Sequence, residues 1–289
     1  MWTTKKEKTV KLKKDAMFVR VFGFILFALY SVTILGSFVW SFINSLKGRM
    51  EYIESVVKLP QKWLFSNYLT AFKVLSANGK NALEMLGNSL WLSVLPPTIN
   101  LLTASMASYV MSKYKFPGRS LIWGIMITLM IIPIYGSGSA TYKLYRQLGI
   151  YDSPLYLITS VTGLGGSIMI IAAFDSVSTA YMEAAFLEGA GHFTIFWKIM
   201  LPQISGLLCA LWIMSFIGRW NDYMSALMFL PSYPPLSSGL YIYQVEQNRK
   251  LNTPILLAGS LMCAIPAVAL FMIFQDKFLN LTFGGGIKG

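Results

Sequence analysis

The sequence predicts an all-α polytopic membrane protein with six transmembrane helices. Three observations carry that prediction. The 289 residues are 55% hydrophobic and 12% charged, with a mean hydropathy of +0.56, whereas soluble domains carry about 25% charged residues. So much apolar side chain with so little charge exceeds what one aqueous core can hide. Apolar runs of roughly 20 residues recur, each long enough to cross a hydrocarbon core at about 1.5 Å per residue. Basic residues crowd before the first run: Lys5, Lys6, Lys8, Lys11, Lys13, Lys14 and Arg20 stand against Glu7 and Asp15. Positive charge at that position holds the end in the cytoplasm.

The spans follow in order. The first is about 18–42. It is long and lacks a small-residue cleavage site, so it reads as a retained span and not a signal peptide. Residues 43–86 form an outside segment whose KLPQKWLFSNYLTAF stretch mixes aromatic and polar residues, as a short folded cap would. The second span, about 87–110, contains Pro96 and Pro97. Paired prolines remove two backbone donors, which fits either a packing kink or a hinge lining a watery path. SKYKFPGR (112–119) is a basic inside turn. The third span is about 120–134, followed by an irregular PIYGSGS and an outside segment at 139–152. The fourth, about 154–174, opens with Gly163, Gly165 and Gly166, which permit close packing or a break. A polar stretch at 183–202 follows inside, then a fifth span at about 203–230. Residues 231–252, with three prolines, read as an outside loop, and the sixth span is about 253–274. This gives a cytoplasmic N-terminus at 1–17, a six-helix domain at 18–274 and a cytoplasmic tail at 275–289. On this topology thirteen basic residues lie inside and ten outside, with Arg219 in a span. The bias is slight, and the dense first cluster decides it.

Several function classes drop out. The net charge of +12 is accounted for by topology and anionic lipid, and no basic module with exposed aromatics points to nucleic acid. Cys209 and Cys263 lie in spans, the one histidine is His192, and no ligand spacing for a metal exists. GGGIKG lacks the spacing and terminal Ser/Thr of a phosphate loop. No catalytic set can be assembled, so the work is transport or signalling with any energy source elsewhere. Asp175, beside Ser176 and Ser178, reads as a cap for the next helix. The Asn280 sequon lies inside and carries no weight.

The stretch EAAFLEGAGHFTIFWKIMLP (183–202) combines helix formers, a Gly break, an amphipathic second half and a Pro before the next span. It reads as helix, turn, helix and a fresh start. Ala184 and Ala185 would let a helix press close to a partner, Glu183 offers a charge, and Gly189 and Gly191 permit the bend. Phe193, Phe196 and Trp197 give an apolar face to the second helix.

Glu183-Ala184-Ala185, Gly189, and Ile199 with Leu201-Pro202 resemble the EAA loop of ATP-binding-cassette importer permeases at every anchor of its spacing. WND (220–222) late in the fifth span and the tail LTFGGGIKG resemble the carbohydrate-uptake subgroup, similar to the smaller permease subunit of maltose-type transporters. The resemblance covers the whole chain. It implies the type I (MetI-like) permease fold in a bacterial inner membrane, with both termini cytoplasmic. It also implies a second permease subunit, two ATPase subunits carrying ATP and Mg, an extracytoplasmic solute-binding protein and an oligosaccharide substrate, with no cofactor on this chain. Glu183, Ala184, Ala185, Gly189, Gly191, Leu201 and Pro202 would couple to the ATPase, and Gly284, Gly285, Gly286 and Lys288 would reach along it. Tyr233, Tyr241, Tyr243 and Gln244 would belong to a loop that meets the binding protein; an interfacial aromatic belt is the other reading of them.

Arg219, Asn221 and Asp222 interrupt the fifth span, where ionisable groups cost about 2.5–3.5 kcal/mol at the centre. They form either a structural i, i+3 pair or a lining of the translocation path. Arg219 with Lys143 and Arg146 would favour an acidic sugar. Two other classes stay open: a stand-alone ion-coupled transporter using Asp175, Arg219 and Asp222, and a cassette permease for a non-sugar solute. The first would need internal repeats with broken midplane helices, and Pro96-Pro97 has no clear counterpart in the second half.

Overall fold

The computed structural model describes residues 3–132, 136, 138–162, 166–246 and 252–284. They build fourteen α-helices and one two-stranded hairpin among the described residues. The chain divides into two compact units, Met1–Ala71 with Lys250–Met262, and Phe72–Arg249 with Cys263–Gly289.

The first unit begins with α1 (Thr3–Ser45), whose apolar part, Val19–Ser45, is long and apolar enough to cross a membrane. The basic N-terminus and the span are one helix, so the expected boundary at residue 17 falls inside it. The segment after it is an ordered cap, as its mixed composition implied. α2 (Arg49–Glu54) and the start of α3 (Ser66–Val74) fold back on the end of α1. Asn67 Nδ2 donates to the carbonyls of Ser45 and Lys47 at 2.7 and 2.9 Å. Lys47, fully buried, donates from Nζ to the Ser55 carbonyl at 2.9 Å.

The second unit opens with the hairpin β1 (Ser76–Ala77) and β2 (Lys80–Asn81), paired antiparallel. Its two-residue turn is Asn78-Gly79, both at positive φ (48° and 77°), the pair that suits the twist of adjacent strands. Asn81 then caps α4 (Ala82–Lys113). Its side chain accepts from Glu84 N, and Glu84 Oε2 accepts from Asn81 N, each at 3.0 Å, a reciprocal pair that satisfies two orphan donors. α4 therefore starts five residues earlier than the apolar run, and it continues through Pro96 and Pro97. It is the central helix of this unit and packs against α7 (Ser167–Ser176), α11 (Ser205–Asn221), a 3-10 helix (Pro154–Thr162) and α13 (Leu236–Glu246).

α5 (Arg119–Ile131) is an apolar helix of 13 residues, and α6 (Gly138–Gln147) follows it. The expected fourth span is two elements, the 3-10 helix and α7; Gly163 and Gly165 lie outside the described residues. α8 (Ala180–Leu187), α9 (His192–Ile195), a π-helical turn (Phe196–Met200) and α10 (Leu201–Gln203) form the polar stretch. The fifth span divides at Asp222 into α11 and α12 (Met224–Phe229).

The expected loop at 231–252 is corrected. Residues Leu236–Glu246 are α13, a helix that starts directly after the prolines. Proline is tolerated just before and within a first helical turn, so Pro234-Pro235 begins this helix where the sequence reading saw only a loop signal. α14 (Thr253–Gly284) carries the last span and runs past the expected boundary at 274.

Three single helices are long and apolar enough to cross a membrane: Val19–Ser45, Ala82–Lys113 and Thr253–Gln275. Two bent pairs, Ser167–Ser176 with Ala180–Leu187 (70°) and His192–Gln203 with Ser205–Asn221 (78°), raise the number to as many as five among the described residues. Length and composition alone therefore do not yield the expected six, because α5 falls short and the fourth span is divided.

Candidate functional site

The 183–202 stretch folds as the expected helix, turn, helix. α8 ends in a turn that closes on itself. Gly189 N donates to Phe186 O at 3.0 Å, and Ala190 N donates to Ala185 O at 2.9 Å. These are the paired bonds of a Schellman cap, which needs a left-handed residue after the helix. Gly189 supplies it at φ +83°. Gly191 does not share that role: it is extended, φ −73° and ψ 158°, a conformation open to any residue.

The two alanines also part company. Ala185 is 5% exposed and packs inward with Met182 against Ile195, Phe196 and Met200, while Glu183, Ala184 and Leu187 point away from that core. Ala184 is thus the alanine left exposed, and Ala185 seats the helix on its own chain. The second helix is divided in the same manner. Phe196 is buried and Phe193 is 69% exposed, so the expected single apolar face is shared between the core and the outside. A wide π-helical turn, with Leu201 N bonded to Phe196 O, precedes Pro202. Pro202 ends the hairpin, and the sharp bend into α11 comes at Ile204.

The end of α4 fastens both the end of α7 and, through His192, this hairpin, which the sequence reading did not find. Lys113 Nζ donates to Val177 O at 2.6 Å, and Ser112 Oγ donates to Asp175 Oδ1. Asp175 is thereby a partner of α4; the α8 N-cap is Thr179, with no side-chain cap bond. Tyr114 Oη lies 2.7 Å from His192 Nδ1 and 3.4 Å from Tyr109 Oη. The Tyr109 ring, 4% exposed, packs against Phe174 and Phe196 with centroids 5.5 and 5.2 Å apart. No local signal marks these residues, because the contacts join positions 63 to 78 residues apart.

Further along α4 lies a cavity of about 580 Å³, bordered by Pro96, Pro97 and Asn100 of α4, Ser160 of the 3-10 helix, and Arg219 and Asp222 at the end of α11. The proline pair thus lies within a continuous helix and lines open space. Arg219 Nη1 is 3.7 Å from Asp222 Oδ2 and 3.4 Å from Tyr156 Oη. Asp222 Oδ1 accepts from Ser225 N at 3.0 Å, which starts α12. Asn221 turns back to the Ile217 carbonyl at 2.9 Å and is not among the lining residues. Of the three expected cations, Arg219 is among the residues that border this cavity, and Lys143 and Arg146 are not. Arg146 sits over the Tyr142 and Tyr151 rings at 5.8 and 5.6 Å, and Arg219 is balanced by Asp222. Burial pushes the Tyr145 phenol on α6 above its ordinary range, with a hydrogen bond to Thr159, and to a lesser extent Arg219, pulling it back.

The remaining expected residues are scattered. Tyr233 packs edge-on against Trp91 at 5.9 Å, and Tyr241 stacks on Tyr223 at 4.5 Å. Tyr243 packs near Met85, and Gln244 is exposed. Gly284 is the last residue of α14; Gly285, Gly286 and Lys288 lie outside the described residues.

Residues 99–282 match the family described as binding-protein-dependent transport system inner membrane component. The chain is 26% identical over 269 residues to the diacetylchitobiose uptake system permease protein NgcG of Streptomyces coelicolor, covering 91% of this chain and 87% of that one. It is 28% identical over 204 residues to the arabinooligosaccharides transport system permease protein AraQ of Halalkalibacterium halodurans, covering 70% and 73%. It is 27% identical over 278 residues to the inner membrane ABC transporter permease protein YcjP of Escherichia coli K12, covering 91% and 94%. A solved bacterial ABC transporter involved in import of the acidic polysaccharide alginate shares the fold, with a TM-score of 0.76 at 22% identity over 89% of this chain and 96% of that one. The helices, the EAA hairpin and the family match together place this chain in the binding-protein-dependent transport system inner membrane component family, as a multi-pass membrane permease.

Proposed function

We propose that this chain is a membrane-spanning subunit of an ATP-driven, binding-protein-dependent importer of carbohydrate, oligosaccharides in particular. The observation that carries the reading is the 183–202 hairpin. Its Schellman turn, inward Ala185 and outward Glu183, Ala184 and Leu187 make a rigid knob that a cleft on another protein can grip. Relatives named for diacetylchitobiose, arabinooligosaccharide and maltodextrin uptake support the class of cargo.

The chain hydrolyses nothing in this reading. ATP and Mg sit on two ATPase subunits that clasp the hairpin on the cytoplasmic side, where both termini also lie. Closure of the ATPases moves the hairpin, and the ties from Asp175, Val177 and His192 carry that movement into α4. α4 borders the cavity, so the cavity changes its access. A second, different permease subunit completes the path, and a solute-binding protein delivers cargo from outside. Glu183, Ala184 and Gly189 are the coupling residues; Arg219 and Asp222 line the path; the tail, with Gly284, Gly285, Gly286 and Lys288, extends the contact with the ATPase.

The test is a gentle-detergent purification of the tagged chain expressed with its neighbours. An ATPase and a second permease are expected to co-purify, with ATP hydrolysis stimulated by sugar-loaded binding protein. Glu183→Lys and Gly189→Asp are expected to lose both the ATPase and uptake. A chain that purifies alone and moves solute without ATP contradicts the reading.

A further inference from the structure

The stripe of α11 that borders the cavity carries Ser215, Gly218 and Arg219 beside the apolar Leu211 and Met214, with Asp222 just past its end. Gly218 is not there for close packing, since a Cβ at that position meets nothing within 4 Å. It leaves space. The cavity, about 580 Å³, lies within the range of about 300–1,000 Å³ usual for small-molecule sites. Ser160, 4% exposed, borders it, but its Oγ, without a hydrogen-bond partner among the described residues, is itself buried and not open to the cavity. Asn100 spends Nδ2 on the Ser160 carbonyl at 2.8 Å and keeps Oδ1 as an acceptor. Arg219 is engaged through Nη1 among the described residues, which leaves Nε and Nη2 as donors.

We infer that this chain itself holds the cargo: the cavity is a subsite for a neutral sugar ring, read by Asn100 and Arg219, with Gly218 making room for the ring. The inference rests on the importer reading above. The charge class follows from the ion pair. Asp222 cancels Arg219, so no uncompensated cation is left to favour a uronate, while the free amide oxygen and guanidinium N–H groups match the mixed donors and acceptors of sugar hydroxyls. Pro96, Pro97 and Met214 supply apolar surface for the C–H faces of the ring.

The experiment uses the complete transporter in proteoliposomes, with arabinotriose, diacetylchitobiose, maltotriose and a trimeric alginate oligosaccharide as cargo. Wild type is expected to take up one or more of the neutral sugars in preference to the alginate trimer. Gly218→Leu fills the cavity and is expected to lower that uptake at least about tenfold while the complex co-purifies intact, because a Cβ there displaces nothing. Asp222→Asn leaves the cation unbalanced and is expected to raise the ratio of alginate-trimer to neutral-sugar uptake about tenfold. Normal uptake by Gly218→Leu overturns the subsite. Loss of the second permease from the Gly218→Leu complex assigns the stripe to a subunit interface and also overturns it. Wild-type preference for the alginate trimer overturns the charge class. A wild type that carries no panel sugar fails at the importer reading, and the subsite falls with it.

Discussion

At one end α4 is tied to the hairpin helices by Tyr109 at Met182 and Tyr114 at His192, and to the end of α7 by Ser112 at Asp175 and Lys113 at Val177; one helical stretch away, at Pro96, Pro97 and Asn100, it borders open space. Net hydrogen-bond contributions are about 0.5–1.5 kcal/mol each, and about 1.5–3 kcal/mol where a charge is involved. Several such bonds around one buried aromatic cluster make the hairpin and the end of α4 a single body. At the cavity α4 is held by Asn100 Nδ2 to the Ser160 carbonyl at 2.8 Å and by Trp212 Nε1 to Thr98 Oγ1 at 2.9 Å, while the partly exposed Arg219–Asp222 pair, of a kind worth about 0–1 kcal/mol, lies within the end of α11. The two ends of α4 therefore differ in what they border: a packed aromatic cluster at one, open space at the other.

The largest expected effect lies at the tied end. Met200 is fully buried in the hairpin core and Met214 is 62% exposed on the cavity stripe. Met200→Ala is expected to cost about 2–5 kcal/mol, and Met214→Ala less than about 0.5 kcal/mol, read as thermal midpoints of the purified complex. Equal costs would remove the contrast. Next come the glycines. Gly189→Ala forces a Cβ into left-handed backbone at a cost of about 1–2 kcal/mol, whereas Gly191→Ala is expected to be neutral; ATPase retained on the tagged chain reports both. Tyr114→Phe deletes the hydroxyl between Tyr109 and His192 for about 0.5–1.5 kcal/mol. It is expected to lower uptake per ATP hydrolysed severalfold while the ATPase stays bound. Smallest is the stability effect of Asp222→Asn, within about 1 kcal/mol, although the same change alters which sugars pass.

Much of this contrast is invisible in the sequence, and the reasons are physical. The hairpin was legible because its anchors are local: helix formers, a left-handed glycine five residues after Ala184 and a proline at fixed spacing. The start of α4 was equally local, in Asn78-Gly79 and the Asn81–Glu84 pair, but the polar stretch hid it from a reading led by hydropathy. α13 was missed because prolines that begin a helix look like those that end one. The ties of Ser112, Lys113 and Tyr114 join residues more than 60 positions apart, so only the packed chain brings them together. The partition of Ala184 from Ala185 likewise depends on which face meets the core.

The most direct test follows one cavity position while the hairpin is driven. With Cys209 and Cys263 replaced by Ala, Ser215→Cys places a thiol on the cavity stripe of the assembled transporter. Its rate of modification by an impermeant thiol reagent is measured with and without ATP and vanadate. The account predicts that nucleotide changes the rate, and that cutting the ties with Ser112→Ala, Lys113→Met and Tyr114→Phe abolishes the change while the ATPase remains bound. A nucleotide-dependent change of the same size after the ties are cut would contradict transmission through α4.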